Sequence, residues 1–242
     1  MTTERLYLTD NQLLSNEATV IEVCSEQERM VVILDKTAFY PQGGGQPYDT
    51  GTIESPTTIF NVEDVRYIND LVKHYGQLIK GTLSSHDHIC CKINPERRDF
   101  NNRLHSAGHV VDMAVHELKL NWTPEKGHHF PENPYVEYSG TLDDSDKGAL
   151  KQLIENTCNR LIQENHATEI KFVSKEELKN ICHFTPNYIP THGAIRLIAF
   201  GKHFCLPCGG THVATLSEIK HMNIRKIKVG KGKIHIGYEI SH

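Results

Sequence analysis

Two short motifs carry the residue types that hold metal ions. In His105-Ser-Ala-Gly-His109 the imidazoles stand four positions apart, a spacing that brings both to one face of a helix. In a chain with 16 histidines such a pair arises readily by chance. The second motif, Cys208-Gly-Gly-Thr-His212, sets a thiol and an imidazole across two glycines, which let the backbone fold so that both side chains converge. Three imidazole nitrogens and one thiolate make a four-ligand set suited to zinc. The two motifs are far apart in the chain, so only the fold can close the site. A zinc with no role beyond stability would contribute on the order of 10 kcal/mol to folding, and spacing alone weighs structural and catalytic ions equally. Cys205 forms a Cys205-Leu-Pro-Cys208 pair with a competing sulfur. A site built on that pair leaves His212 without a partner, so Cys205 ranks lower. Asp112 and His116 continue the helix beyond His109 and read as packing or supporting groups.

The elements that must position these motifs are partly readable. Residues 1–92 read as β-rich, with runs at Thr19–Val23, Arg29–Leu34, Thr57–Val62 and Val72–Tyr75 between Gly, Pro, Asn and Asp punctuation. Such short strands suggest a small barrel or curled sheet. At Asn94-Pro95-Glu96 the pattern changes to a cap, a first-turn proline and an acidic residue that complements the helix dipole. This predicts a helix to about Lys119, with Phe100, Leu104, Ala107, Val111 and Val115 along one side, and places a domain boundary near residue 93. A second helix is predicted from about Ser145 to His166 behind the caps Asp143 and Asp144, with Leu150, Leu153, Ile154, Cys158, Leu161 and Ile162 as its apolar stripe. Strands are expected at Ala167–Val173, Ala194–Phe200, Asn223–Val229 and Lys233–Ile240. Helices and strands that do not strictly alternate indicate an α+β domain over 93–242. The segment Trp122–Tyr138, with Lys126, Gly127, His128 and His129, reads as a loop or hairpin whose histidines are exposed.

Composition narrows the function classes. Of 242 residues, 38% are hydrophobic and 23% charged, ordinary values for a globular chain. The longest apolar runs, such as Met30 to Leu34, are far too short to cross a bilayer. The N-terminus lacks the basic start and apolar stretch of a signal peptide, so the expected compartment is the cytosol, with no membrane partner. Seven cysteines without a framework rhythm read as buried thiols or metal ligands. A net charge of −4 argues against a general nucleic-acid binder. From Ile219 to Tyr238, however, six basic residues (Lys220, Arg225, Lys226, Lys228, Lys231 and Lys233) occur with no acidic one. That stretch reads equally as a phosphate-binding strip or a solvated face of two strands.

A third motif joins the metal pairs. The stretch Asp35-Lys-Thr37-Ala-Phe39-Tyr40-Pro41-Gln-Gly43-Gly44-Gly45-Gln46-Pro47-Tyr-Asp49-Thr-Gly51 resembles the glycine-rich signature of alanyl-tRNA synthetase editing domains. The two metal motifs match that family in the same order. From about residue 6 to 240 the chain is similar to the longer, free-standing AlaX proteins. Threonyl-tRNA synthetase editing domains share the metal logic, but Gly-Gly-Gly-Gln-Pro favours the alanine branch. The resemblance implies a small β-barrel-like domain over 1–92, followed over 93–242 by a two-layer α/β sandwich with a mainly antiparallel sheet. It implies one Zn2+ per chain on His105, His109, Cys208 and His212, and a glycine-rich loop, Gly43, Gly44 and Gly45 with Gln46, beside a pocket between the domains. Thr37 is the neighbouring hydroxyl expected to contact a substrate side chain; its plain reading is a strand residue. The implied activity is hydrolysis of mischarged tRNA(Ala), carrying serine or glycine, by a chain without an aminoacylation core that acts in trans. Arg97, Arg98, Arg103, Lys220, Arg225, Lys226 and Lys228 are the candidates to hold the tRNA phosphates.

Overall fold

The computed structural model describes residues 2–143, 146–183, 193–202 and 204–241. They form two compact units, Met1–Phe100 and Asn101–His242. In the first, strands β1 (Glu4–Arg5), β2 (Ser15–Glu26), β3 (Arg29–Leu34), β4 (Lys36–Thr37), β5 (Gly51–Glu54), β6 (Ile59–Ile68), β7 (Leu71–Lys80) and β8 (His88–Ile93) follow one another. Six of them close a barrel in the order β2-β3-β7-β6-β5-β8, with every neighbour antiparallel. Alternate residues supply the interior: Val20, Val32, Leu34, Ile53, Phe60, Val62, Val72, Ile89 and Cys91. Each large apolar side chain enclosed there stabilises the unit by about 1.5–3 kcal/mol. Register shifts at Val20/Glu22 and Val62/Asp64 add the local bend that closure needs. At Gly76 a Cβ would lie 1.8 Å from the Asn61 carbonyl oxygen, so only glycine lets β6 and β7 approach at that corner.

The predicted strands of this unit all appear, most of them longer than expected. The two-residue strands β1 and β4, and the barrel strands β5 and β8, have no counterpart among the expected strands. β5 has only four residues, and β8 pairs with β5 and with β2, both distant from it in sequence.

In the second unit, helix α1 (Pro95–Glu117) is followed by β9 (Thr123–His128), β10 (Tyr135–Ser139), α2 (Lys147–Gln163), β11 (Thr168–Val173), α3 (Lys175–Ile181), β12 (Ile195–Phe200), β13 (Phe204–Pro207), β14 (Met222–Gly230) and β15 (Lys233–Ile240). α1 starts where the sequence places it, with Arg97 N–H donating to Asn94 Oδ1 at 2.9 Å. Its first residues belong to the first unit and the remainder to the second. Leu104, Ala107, Val110, Val111, Ala114 and Val115 are buried along it. Two antiparallel sheets complete the unit, β14-β15-β10-β9 and β11-β12-β13. α2 is fastened to β14 by side chain to backbone bonds: Asn159 both donates to and accepts from Met222, and Glu155 accepts from Ile224 N–H at 2.8 Å.

α2 begins at Lys147 behind Asp146; the expected cap Asp144 and the expected first residue Ser145 lie outside the described residues. α3, absent from the sequence reading, is short and starts at a Ser174/Glu177 capping box. Trp122–Tyr138 is a β9–β10 hairpin. The architecture is α+β, mainly antiparallel, with a barrel at the N-terminal end, as read from the sequence. No described helix is long and apolar enough to cross a membrane.

Candidate metal centre

α1 carries His105 and His109 on one face, and the turn after β13 delivers Cys208 and His212. The ligand atoms of these four residues lie within 4.8 Å of one another. Cys208 Sγ is 3.6 Å from His105 Nε2 and 3.3 Å from His212 Nε2. Tetrahedral bonds of about 2.05 Å to nitrogen and about 2.3 Å to sulfur would separate the two donors by about 3.5 Å. The donor set and its spacing therefore fit an ion of zinc's size. His109 supports the same reading: Asp112 accepts a bond from its Nδ1 at 3.1 Å, while its Nε2 is buried without a hydrogen-bond partner among the described residues.

The electrostatics follow from enclosure. Burial, then the neighbouring imidazoles, pushes His105 far below the usual histidine range. His212 is depressed for the same first reason, with His109 and Arg196 adding to it. Burial opposes charge on His109 as well, but the Asp112 carboxylate and the Cys208 sulfur outweigh it and raise this imidazole to about 9. Burial alone would raise the Cys208 thiol; the adjacent His109, the Gly210 N–H and Arg196 hold it below its ordinary value. A cation bound among these donors would favour the thiolate and the neutral imidazoles that ligate it.

A second layer fixes these ligands. Asp112 accepts from His109 on one oxygen and from the Tyr138 hydroxyl, at 2.6 Å, on the other. This sets the tautomer that leaves Nε2 of His109 free to ligate. Ser106 Oγ accepts from Val213 N–H at 3.2 Å and lies 3.4 Å from His212 Nδ1. Arg196 on β12 donates to the carbonyls of Cys208 and Gly210 at 2.6 and 3.0 Å, so the turn is braced from inside. Of these groups the sequence suggests only Asp112, three residues after His109. Tyr138, Ser106 and Arg196 carry no local signal, because only tertiary contact brings them to the ligands.

The remaining sequence-derived candidates separate. Cys205 does not face the cluster: its Sγ is bonded to the Ile181 carbonyl. His116 packs against His183 and Phe204. The histidines of the β9–β10 hairpin read as exposed in the sequence, yet His129 is 3% exposed and stacks on His105; the small Gly108 and Gly127 make room for it.

Gly43 to Gln46 form a tight turn closed by bonds between Gly43 and Gln46. Gly44 and Gly45 take φ of +54° and +78°, which glycine adopts without steric cost. Gln46 is wholly buried. So is Thr37, whose Oγ1 lies 3.0 Å from His74 Nε2 and accepts from Phe39 N–H.

Among the basic candidates, Lys220, Lys226 and Lys228 are exposed and Arg97 is partly so. Two arginines must be corrected, since neither presents its charge at the surface. Arg98 is 1% exposed and donates to Asp49, Ala38, Asn11 and Leu13. Arg103 is buried and bonded to the Ser241 carbonyl. The half-buried Arg225 is taken up by Tyr238, Asn133 and Pro134. Their positive charge is legible in the sequence; the buried acceptors that claim it are not.

Comparison with known proteins agrees with the motif reading. Residues 6–97 match the family described as tRNA synthetases class II (A). Residues 195–235 match the threonyl and alanyl tRNA synthetase second additional domain. The alanine–tRNA ligase of Saccharolobus islandicus (strain L.S.2.15 / Lassen #1) is 31% identical over 243 residues, covering 94% of this chain and 26% of that ligase. The alanine–tRNA ligase of Leptospira borgpetersenii serovar Hardjo-bovis (strain JB197) is 29% identical, covering 88% and 23%. That of Francisella tularensis subsp. novicida (strain U112) is 30% identical, covering 84% and 23%. The chain thus spans about a quarter of the length of these relatives.

Proposed function

We propose that this chain, homologous to alanyl-tRNA synthetases over 94% of its length and resembling an AlaX-like editing module, is an aminoacyl-tRNA deacylase acting in trans on mischarged tRNA(Ala). Serine-charged tRNA is the foremost substrate and glycine-charged tRNA the second. The observation that carries the reading is the convergence of His105, His109, Cys208 and His212 on one point, in a chain related to synthetases for alanine.

Those four residues would hold one Zn2+. When bound, the ion supplies positive charge able to polarise an ester carbonyl or orient the aminoacyl end. Four protein donors leave no open tetrahedral position, which favours orientation over activation of a permanently bound water. Asp112 and Tyr138 keep Nε2 of His109 directed at the centre, and Arg196 keeps the Cys208 turn in place. Both act before substrate arrives, so little reorganisation remains for the reaction itself.

An alanine synthetase cannot strongly reject glycine, because one missing methyl is worth about 1–3 kcal/mol. Serine adds only a hydroxyl and is rejected similarly weakly. An editing site cannot exclude the smaller alanine by size, and must recognise the serine hydroxyl instead. A site built for that bond rejects analogues lacking it by about 10⁴-fold or more; glycine lacks it as alanine does, which is why glycine-charged tRNA ranks second. Thr37 and the Gly43–Gln46 turn are the proposed substrate-side elements. Lys220, Lys226, Lys228 and Arg97 are the proposed phosphate contacts. The cytosol, where tRNA is charged, is the proposed compartment.

The test is loss of labelled amino acid from seryl-, glycyl- and alanyl-tRNA(Ala) with zinc-loaded protein. Rapid loss of serine with alanine retained is expected. Retention of all three rejects the deacylase reading and leaves an RNA-binding module with a structural metal.

A further inference from the structure

His129 belongs to none of the motifs, yet it is fixed against the ligand cluster on several sides. Its ring stacks on that of His105, centroids 4.3 Å apart and planes inclined by 21°. Its Nδ1 is 2.6 Å from the Tyr238 hydroxyl, and the same hydroxyl is 3.1 Å from the Leu104 carbonyl oxygen. A carbonyl can only accept, so the single phenolic proton goes to Leu104, and His129 must donate from Nδ1 to the tyrosine oxygen. One chain of bonds therefore defines the tautomer and the orientation of His129. It also ties Tyr238 to the backbone one residue before His105.

The slot that holds the ring is made by two glycines. A Cβ on Gly108, inside the His105–His109 motif, would lie 2.4 Å from His129 Cε1 and 3.0 Å from the Tyr238 oxygen. A Cβ on Gly127 would lie 2.3 Å from His129 Nε2. Neither of the two contacts with the ring is possible for a real side chain, so any other residue at either position displaces it.

We propose that His129 is a positioning residue of the metal centre: held by Tyr238 in a slot between Gly108 and Gly127, it fixes the plane in which His105 presents Nε2 toward Cys208. The inference rests on reading the four-residue cluster as a zinc site. Asp112 restrains His109 by a hydrogen bond, and the His129 ring is the flat surface against which His105 lies. No other imidazole lies so close and so nearly parallel to His105 among the described residues. Removing the His129 ring takes away the surface it offers to His105, and any orientation of His105 that does not ligate then lowers the affinity in proportion to its population.

The experiment is zinc affinity by competition with a chromophoric chelator, together with the visible spectrum of the cobalt-substituted protein. It uses the full chain as wild type, His129→Ala, His129→Phe and Gly108→Ala. His129→Ala is expected to lose about 10–100-fold in zinc affinity, the range found when groups supporting metal ligands are removed. Its cobalt bands should shift; the cavity left by the buried ring lowers the metal-free melting temperature, so affinities are read well below it, where every variant is folded. His129→Phe, which keeps a flat ring against His105, should recover most of the affinity. Gly108→Ala, which leaves His129 in the chain but displaces it, should reproduce the loss. Unchanged affinity and spectrum in His129→Ala, with wild type binding zinc normally, overturns the inference and spares the metal reading. A wild-type protein that takes up no zinc overturns both.

Discussion

His74 offers a quantitative test of how the glycine-rich unit is held together. It is wholly buried in the barrel, with Nδ1 2.9 Å from the Val32 carbonyl and Nε2 3.0 Å from the Thr37 hydroxyl. The carbonyl only accepts, so Nδ1 carries the proton and Nε2 must accept from Thr37. Protonating the ring would place a second N–H against that hydroxyl and a charge in an apolar interior. Burial accordingly pushes this imidazole down to about 4 from 6.5. The unfolded chain then binds more protons than the folded one between those limits. The stability contributed by a neutral His74 is fully present above pH 6.5 and drains away as the pH falls toward 4. The full difference is about 3 kcal/mol, of which about 2 kcal/mol is lost between pH 7.5 and pH 5. At a urea slope of about 2 kcal/mol per molar, that is a midpoint shift of about 1 M. Other buried histidines also destabilise the protein in acid. The informative quantity is therefore the difference between wild type and His74→Gln, whose side chain forms hydrogen bonds but does not titrate. Urea unfolding followed by far-UV circular dichroism at the two pH values should show the midpoint of wild type falling by about 1 M more than that of the variant. Parallel falls would refute the assignment of His74 as a neutral acceptor for Thr37.

Replacing Asp112 by Asn should weaken zinc binding by about 10–100-fold with little change in fold, because the amide loses the charge that directs His109; chelator competition measures it. Arg98→Met strands the Asp49 carboxylate, wholly buried and bonded to Arg98 Nε at 3.1 Å, and should cost about 3–5 kcal/mol in urea unfolding. Adding Asp49→Leu to that variant should recover a large part of the loss, since an apolar pair has no unpaired charge to bury. Lys226→Glu with Lys228→Glu should weaken tRNA binding and lower the salt slope by about 0.7–0.9 for each phosphate no longer neutralised. A slope equal to that of wild type in filter binding across a salt series would remove β14 from the RNA-binding surface.

Several features are legible in the amino-acid sequence, each for a local reason. The helix start at Asn94-Pro95 follows from backbone donors that need a cap. The shared face of His105 and His109 follows from helical period. The turn at Gly44-Gly45 follows from backbone angles only glycine adopts freely. The barrel strands show through where apolar residues run or alternate, and hide where β5 has only four residues and β8 is paired with distant segments.

Charge is legible as composition but not as availability. Arg98 and Lys228 look alike in the sequence, yet one is locked on Asp49 and the other meets solvent. The same holds around the metal centre. Residue type and spacing determined which atoms can ligate; of the groups that orient them, Tyr138, Tyr238 and His129 come from strands and loops distant from α1, and Arg196 comes from β12 to brace the Cys208 turn. Hydrogen-bond partners and ring stacking are set by distances of a few ångströms between such segments, and no local pattern encodes those distances. The sequence by itself therefore determined the donor set, and the tertiary structure alone decided how each donor is held.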